Sequence, residues 1–161
     1  MSDVALLSKG SSWRCGMVRK HDIDRIETEL AVTLPTHYRD FLASFPSTLI
    51  ETKADLGWKQ EAPADREFRN DPDEIVSLNR DVRSPGTPWT EDEGPWPDRY
   101  FVIGDDECGN YWVIDLDSDD EGVWFYDHEL SRFERQHESL QAFQAALVKE
   151  INEWNSEKSE N

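Results

Sequence analysis

The sequence predicts an α+β fold: a single domain with a mostly antiparallel sheet that ends in a C-terminal meander and is flanked by N-terminal and C-terminal helices. Between residues 100 and 127, β-branched and aromatic residues alternate with polar ones, which favours strands. Apolar residues at helical spacing lie on both sides of this stretch. The 161 residues are enough for one domain with a sizeable core, since domains usually hold roughly 100 to 150 residues.

The alternating stretch predicts a three-stranded antiparallel meander with two acidic turns. The predicted strands are residues 100–104, 110–116 and 123–127. Gly109 and Gly122 close the two turns, where glycine can adopt a positive φ. In the middle strand neither set of alternate side chains is fully polar, so we expect both faces of the sheet to be covered.

Helices are expected before and after the meander. The first is expected to begin at Asp22 as its N-cap, and the second to follow Pro35. The third is expected to be capped by Asp71 or Asp73, and residues 49–52 are a candidate strand. The apolar stripes contain Ile23, Ile26 and Leu30; Tyr38, Phe41, Leu42 and Phe45; Ile75, Leu78, Asn79 and Val82; and, after Ser139, Leu140, Phe143, Leu147, Ile151 and Trp154.

The predicted division of the chain is a flexible leader at residues 1–20, one domain at 21–154 and a polar tail at 155–161. The sequence has no apolar run of about 20 residues for a membrane helix and no secretory signal, so we expect a cytoplasmic protein without a membrane partner. Cys15 and Cys108 lack CxxC spacing, which predicts buried free thiols rather than a disulfide framework or a zinc site.

The negative charge is concentrated around the predicted meander. The formal net charge is −18, and residues 91–127 carry 13 acidic side chains against one basic side chain. A protein with this balance should repel nucleic acid and attract basic protein surfaces. The alternative is that the acidic residues only keep the protein soluble.

No motif in the sequence points to catalysis, a metal or a cofactor, and we expect a non-enzymatic protein. Residues 115–122 start like an EF-hand loop, but Asp120 stands where that loop needs glycine and Tyr126 where it needs glutamate. Acidic residues at turn tips also lack the burial that raises a carboxyl pKa for acid–base work. The four histidines show no metal-binding spacing and are expected at the surface or in packing.

The candidate partner-binding residues lie in the two acidic turns and in a preceding loop rich in proline and tryptophan. Two tryptophans flank an acidic triplet in this loop, and tryptophan is enriched at the energetic centres of interfaces. The alternative is that both indoles cap the core beneath the loop. The candidates are Trp89, Glu91, Asp92, Glu93 and Trp96 in the loop, Asp105, Asp106 and Glu107 in the first turn, and Asp117, Asp119, Asp120 and Glu121 in the second. Serine in place of the three first-turn acids is expected to slow partner association and leave the fold intact.

Several segments form a pattern that spans most of the chain. They include LPTHYRDFLASFP at residues 34–46, FVIGDDECGNYWVIDL at 101–116 and SLQAFQAALVKEI at 139–151. This pattern resembles the SUKH superfamily of bacterial immunity proteins, which also includes a fungal regulator of cell-wall synthesis. The chain departs from it after Phe45, where members tend to carry Asn-Gly and this chain has Pro46 and Ser47.

The resemblance implies an α+β fold with a mostly antiparallel sheet, and a role in protein binding. Immunity proteins of this kind lie in the cytoplasm and neutralise a toxin domain, often a nuclease. The primary hypothesis is therefore a protein that binds a cognate toxin domain with a basic surface, through the acidic loop and both acidic turns. The alternative is a regulatory scaffold that binds an endogenous partner, as the fungal relative does. The sequence leaves the choice between monomer and dimer open.

Overall fold

The computed structural model describes residues 18–47, 49, 68–86, 89, 94–106 and 108–159. Its elements are the helices α1 (Lys20–Leu30), α2 (Thr36–Ala43), α3 (Pro72–Val82) and α4 (Leu140–Ser159), and the strands β1 (Tyr100–Asp105), β2 (Tyr111–Asp115), β3 (Val123–Asp127) and β4 (Arg132–His137). They confirm the predicted α+β class with helices before and after the sheet. The predicted leader lies outside the described residues up to residue 17, and α4 continues into the predicted tail.

The four strands form one antiparallel sheet in the order β1-β2-β3-β4, so the predicted meander is present with one strand more than expected. The additional strand, β4, has the sequence RFERQH, and its side chains are exposed or half-buried. An edge strand of this kind needs few apolar residues, because much of its surface remains in water. The sequence therefore carries little alternation from which to predict it.

The two acidic turns lie at opposite ends of the sheet. Asp105 pairs with Tyr111 next to the β1–β2 turn, whereas Ile114 pairs with Val123 next to the β2–β3 turn. In an antiparallel meander successive turns alternate between the two ends, and a strand of five or six residues spans about 17 to 20 Å. We call the end with the β1–β2 turn the upper end, and the end with the β2–β3 turn the lower end.

The helix N-termini match the predicted signals at α2 and α3 and differ at α1. The Asp71 carboxylate accepts hydrogen bonds from two backbone N–H groups of the first turn of α3 (2.8 and 3.2 Å). Pro35 directly precedes α2. The prediction that Asp22 is the N-cap of α1 is wrong, because the N-cap is Arg19, three residues earlier, and Asp22 lies inside the first turn of the helix. There its carboxylate accepts a hydrogen bond from the N–H of Arg19 (3.0 Å).

Gly109 and Gly122 occupy their turns for different reasons. Gly109 has a φ of 97°, as predicted. The prediction of a positive φ at Gly122 is wrong, because the φ of this residue is not positive. The turn instead needs glycine here because another side chain comes close to its Cα. A Cβ at residue 122 would lie 2.7 Å from Nε of Arg135, which forms an ion pair with Asp120. A larger residue would therefore displace the arginine from the lower turn.

Two predictions about single residues need correction. Cys108 is a free thiol, as predicted, but it is exposed rather than buried because it lies in the β1–β2 turn. Cys15 lies outside the described residues. Leu49 is not in a strand, since its N–H donates to the carbonyl of Pro46 (3.1 Å) in a helical turn, and residues 50–52 lie outside the described residues.

One face of the sheet packs against the helices. Buried residues of α1, α2 and α4 surround Phe101 and Ile114 of the sheet. On α4, Phe143 is 1% exposed, and its ring centre lies 4.5 Å from that of Phe68 and 4.4 Å from that of Trp112. This helix-side core therefore joins the last helix both to the sheet and to the chain that precedes α3.

The Tyr38 hydroxyl is a buried polar group of the helix-side core. The residue is fully buried, its hydroxyl has no hydrogen-bond partner among the described residues, and burial raises its pKa far above the ordinary value. We expect Tyr38→Phe to leave the free energy of unfolding unchanged or to raise it by about 1 kcal/mol, because no hydrogen bond is lost. Urea denaturation of the two proteins measures this difference. A loss of stability of about 1 kcal/mol or more would contradict the unpaired hydroxyl.

His137 gives the fold a dependence on pH. Its ring stacks on Phe143 at 4.9 Å, and burial lowers its pKa below the ordinary value. Because the unfolded chain then binds the proton more tightly, this contribution to stability is complete above about pH 6.5 and is lost on acidification toward the folded pKa. We expect the unfolding free energy to fall less steeply on acidification below about pH 6.5 in His137→Gln. Parallel slopes in urea denaturation would contradict this.

The other face of the sheet carries an aromatic cluster. Buried Val102, Val113 and Tyr126 of the strands pack there against Trp96 and against Val82 of α3. The half-buried residues that complete the cluster are Leu78, Trp89, Tyr100, Tyr111, Trp124 and Phe133. Both faces of the sheet are therefore covered, as the sequence predicts.

Side chains of α3 close the outer edge of β1. Asn79 is fully buried, donates from Nδ2 to the carbonyl of Val102 (2.8 Å) and accepts the N–H of the same residue at Oδ1 (2.9 Å). Arg83 donates to the carbonyl of Tyr100 (3.0 Å) and to Oδ1 of Asn79 (2.7 Å). These bonds satisfy backbone groups that would otherwise need a neighbouring strand.

Candidate partner-binding surface

Asp105, at the upper end, belongs to the interior. It is 7% exposed, and its Oδ2 accepts hydrogen bonds from Nη2 (2.7 Å) and Nε (3.1 Å) of Arg69. The backbone N–H of Arg69 also donates to the carbonyl of Ile103 (2.9 Å), which fixes the arginine beside β1. Removing one partner of a buried ion pair leaves the other charge uncompensated. We therefore expect serine at this turn to destabilise the fold, which corrects the expectation from sequence.

Asp106 shapes the upper turn with both of its oxygens. Oδ1 accepts the N–H groups of Cys108 (2.8 Å) and Asn110 (3.1 Å), and Oδ2 accepts the side-chain amide of Asn110 (2.7 Å). Asn110 in turn accepts the N–H of His128 (2.9 Å), which links this turn to the β3–β4 turn. Glu107, the third candidate of this turn, lies outside the described residues. The described acids of the upper turn thus serve the fold.

The two candidate tryptophans cap the sheet. Trp96 is 3% exposed, and its indole N–H donates to the carbonyl of Tyr100 (2.8 Å). Trp89 is half-buried, and its carbonyl accepts the hydroxyl of Tyr126 (2.7 Å). These positions support the alternative that both indoles cover the core. The acidic triplet between them, residues 91–93, lies outside the described residues.

An ion pair between a buried carboxylate and an exposed guanidinium anchors the lower end. The Asp115 side chain is 3% exposed and pairs with the exposed guanidinium of Arg99, while its Oδ1 accepts the N–H of Asp117 (3.0 Å). Burial by itself would raise the pKa of the Asp115 carboxyl, but the hydrogen bonds from Arg99 and Asp117 outweigh it and hold the pKa below its ordinary value. The carboxylate therefore stays charged and fixes the start of the lower turn.

Beyond this anchor, the lower turn carries both fixed and unpaired carboxylates. Oδ1 of Asp120 accepts the N–H of Gly122 (3.0 Å) and a hydrogen bond from Arg135 (2.8 Å). The remaining three acids, Asp117, Asp119 and Glu121, are exposed. Within the described part of the chain no basic nitrogen lies within 4.0 Å of their carboxylates. These three residues form a set that we call the free acids.

A cavity of about 430 Å³ lies beside the free acids. It is bounded by the α1–α2 connection at residues 30–33, by Arg83 and by two exposed carboxylates, those of Asp98 and Asp117. Burial lowers the pKa of the Arg83 guanidinium, an effect that the nearby charge of Asp98 partly offsets. Arg83 keeps its charge while it is bound to Asn79 and Tyr100, so the lining carries two carboxylates against one guanidinium. This balance favours a basic side chain that enters from outside.

Several residues that matter at these ends were not among the candidates. Arg99 is the single basic residue between 91 and 127, a signal that it pairs with an acid of that stretch. Asn79 is a polar residue in an apolar helical stripe, a signal that it bonds inside the core. Arg69 and Asp98 carry no signal of this kind, because their partners lie far away in sequence or belong to a surface.

In the ranges that the structure describes, no group of three or more His, Cys, Asp or Glu side chains could hold a metal ion. None of the helices described is both long and apolar enough to cross a membrane.

Comparison with known families supports the resemblance seen in the sequence. The family model described as SUKH_6, SMI1-KNR4 cell-wall, matches residues 20–143. The match begins at α1, includes the whole sheet and ends in the first turn of α4. Comparisons with curated proteins and with solved structures found no match.

Proposed function

Because the chain belongs to the SMI1-KNR4 cell-wall family of the SUKH superfamily, we propose that it is a cytoplasmic immunity protein that binds and neutralises a cognate toxin domain. Family membership is consistent with either an immunity function or an SMI1-KNR4-like function, and in general implies a protein partner. The toxin partner, the neutralising activity and the contact surface are the parts that we propose.

The proposed contact surface rests on one observation, the free acids of the lower turn. Three carboxylates within five residues repel one another, and among the described residues none has a basic nitrogen within 4.0 Å, although the charge of Asp117 acts on Arg99. A basic partner would offset that repulsion. The described acids of the upper turn offer less, because Arg69 and the backbone of the turn already bind them. We therefore assign the main contact to the lower end and a secondary role to the acidic triplet at residues 91–93.

A nuclease toxin would suit this surface. A nuclease must hold phosphates in a basic groove, and an acidic protein can occupy that groove by complementary charge. In this arrangement the free acids contact the groove, while a lysine or arginine of the toxin enters the cavity between Asp98 and Asp117. Substrate is then excluded by occupation of its site, and the immunity protein needs no catalytic group.

Co-expression tests the function directly. The chain is produced together with the toxic C-terminal domain encoded by the nearest upstream gene, and cell survival and co-purification at low and high salt are scored. We expect survival, and a complex that weakens as salt rises because the contact is electrostatic. Cell death without a complex would contradict the proposal.

The family description supports a second candidate function, a regulatory scaffold that binds an endogenous protein. The matched family is described as SMI1-KNR4 cell-wall, and a protein of that kind would act on a cellular partner rather than on a toxin. Pull-down from the producing cells distinguishes the two candidates. A partner captured in the absence of any toxin gene, and released by neutralising the free acids, would favour the scaffold.

A further inference from the structure

The sheet has one closed edge and one open edge. Asn79, Arg83 and the backbone of Arg69 bond to the outer edge of β1. At β4, every backbone bond across the sheet goes to β3. Among the described residues no other strand, helix or side chain bonds to the backbone of β4. In an edge strand, alternate N–H and C=O groups point away from the sheet and remain open to another strand.

The open edge differs in charge from the rest of the protein. β4 carries two arginines and one glutamate, whereas the whole chain has a net charge of −18. Arg132 and Glu134 point to the same side of the strand, are each 49% exposed, and form an ion pair with each other (2.6 Å). The strand therefore presents an alternating pattern of charge at the open edge of the sheet.

We propose that β4 pairs with β4 of a second copy of this chain, antiparallel and with the two-fold axis at Phe133. In this register Arg132 of each copy lies opposite Glu134 of the other, so both cross-strand charge pairs are attractive. The two Phe133 rings face each other on the aromatic side of the sheet, where each ring is half-buried. The two four-stranded sheets become one continuous sheet across the dimer.

The charge pattern selects this register over its neighbours. An axis at Glu134 would place that carboxylate opposite its own copy. An axis at Arg132 or at Arg135 would likewise place that arginine opposite its own copy. Like charges directly opposite one another destabilise a strand pair. The strand is thus complementary to itself in the one register centred on Phe133, which favours a second copy over an unrelated strand.

Charge reversal tests the proposal. Sedimentation equilibrium is measured near 0.15 M salt, where the Debye length is about 8 Å and distant acidic groups are screened. We expect the wild-type protein to reach twice the 18.7 kDa of one chain as its concentration rises. R132E and E134R should each raise the dimer dissociation constant roughly ten- to a hundredfold, since each places like charges opposite one another.

The decisive experiment measures dimerisation in a mixture of the two variants. In a heterodimer of R132E with E134R, two glutamates of one copy face two arginines of the other, so both pairs are attractive again. We expect an equimolar mixture to dimerise at concentrations at which each variant alone stays monomeric. An intrachain effect of the substitutions cannot produce this result, because neither chain changes on mixing.

The control variant is R80E, which reverses an exposed arginine on α3. It should leave the dimer dissociation constant within about twofold of wild type, and circular dichroism should show all variants folded. Wild-type protein that stays monomeric, or a mixture that stays monomeric while wild type dimerises, would overturn the proposal.

Discussion

Replacing Asn79 with leucine is expected to lower the free energy of unfolding by about 3 to 5 kcal/mol, because two buried backbone groups lose their partners. The side chain holds both the N–H and the carbonyl of Val102, which is fully buried. It also accepts a hydrogen bond from Arg83, so the substitution releases the arginine that binds Tyr100. No water can reach these groups without opening the contact between α3 and β1.

Urea denaturation at constant pH measures the effect of Asn79→Leu. Ser77→Leu is a matched control, since it adds the same side chain to the exposed face of the same helix. We expect the control to change stability by about 0.5 kcal/mol or less. If Asn79→Leu lowered the free energy of unfolding by less than about 1 kcal/mol, the backbone groups at the outer edge of β1 would not depend on this side chain for their hydrogen bonds.

Phe143→Ala is the second substitution with a large expected effect, a loss of about 3 to 5 kcal/mol. The ring is 1% exposed and packs against Phe68, Trp112 and His137 at 4.4 to 4.9 Å between ring centres. These neighbours come from three separate parts of the chain and cannot all collapse into the space that the ring leaves. The cavity therefore adds to the lost burial.

The measurement for Phe143→Ala is again urea denaturation, with Leu130→Ala as control. Leu130 is 47% exposed in the β3–β4 turn, so its truncation should cost about 0.5 kcal/mol or less. Equal losses in the two variants would mean that α4 does not depend on Phe143 for its attachment to the sheet.

The parts of the fold that bury apolar residues could be predicted from sequence. The stripes of the helices and the alternation in β2 have the periods that burial imposes, so element type and covered faces followed from them. β4 could not be predicted in this way, because Phe133 is its one apolar residue and, apart from the half-buried His137, its remaining side chains are exposed. Its pairing is set by the turn after β3 rather than by its own composition.

The position of the acids was less predictable than their number. The sequence shows two acidic turns, but only the strand order places them at opposite ends of the sheet. It also gives no sign that Asp105 meets Arg69, since the partners are 36 residues apart. Asp117, Asp119 and Glu121 look the same in sequence as Asp105 and Asp106 and differ only in what surrounds them. This is why the structure narrows the proposed contact to the lower turn.

The central claim is that the free acids of the lower turn contact the toxin. Its test compares two triple variants with the same change in net charge: Asp117→Asn, Asp119→Asn and Glu121→Gln in the first, and Asp81→Asn, Glu129→Gln and Glu150→Gln in the second. The second set consists of exposed acids on α3, in the β3–β4 turn and on α4. Any effect of net charge alone is therefore common to both.

The measurement is the rate of association with the toxin domain, recorded by stopped flow at low and at physiological salt. We expect the lower-turn variant to associate roughly tenfold more slowly at low salt and the control to stay within about twofold of wild type. The salt dependence should also become shallower in the lower-turn variant alone. Equal slowing in both variants would contradict the account, because it would show that the partner senses the overall charge and not this turn.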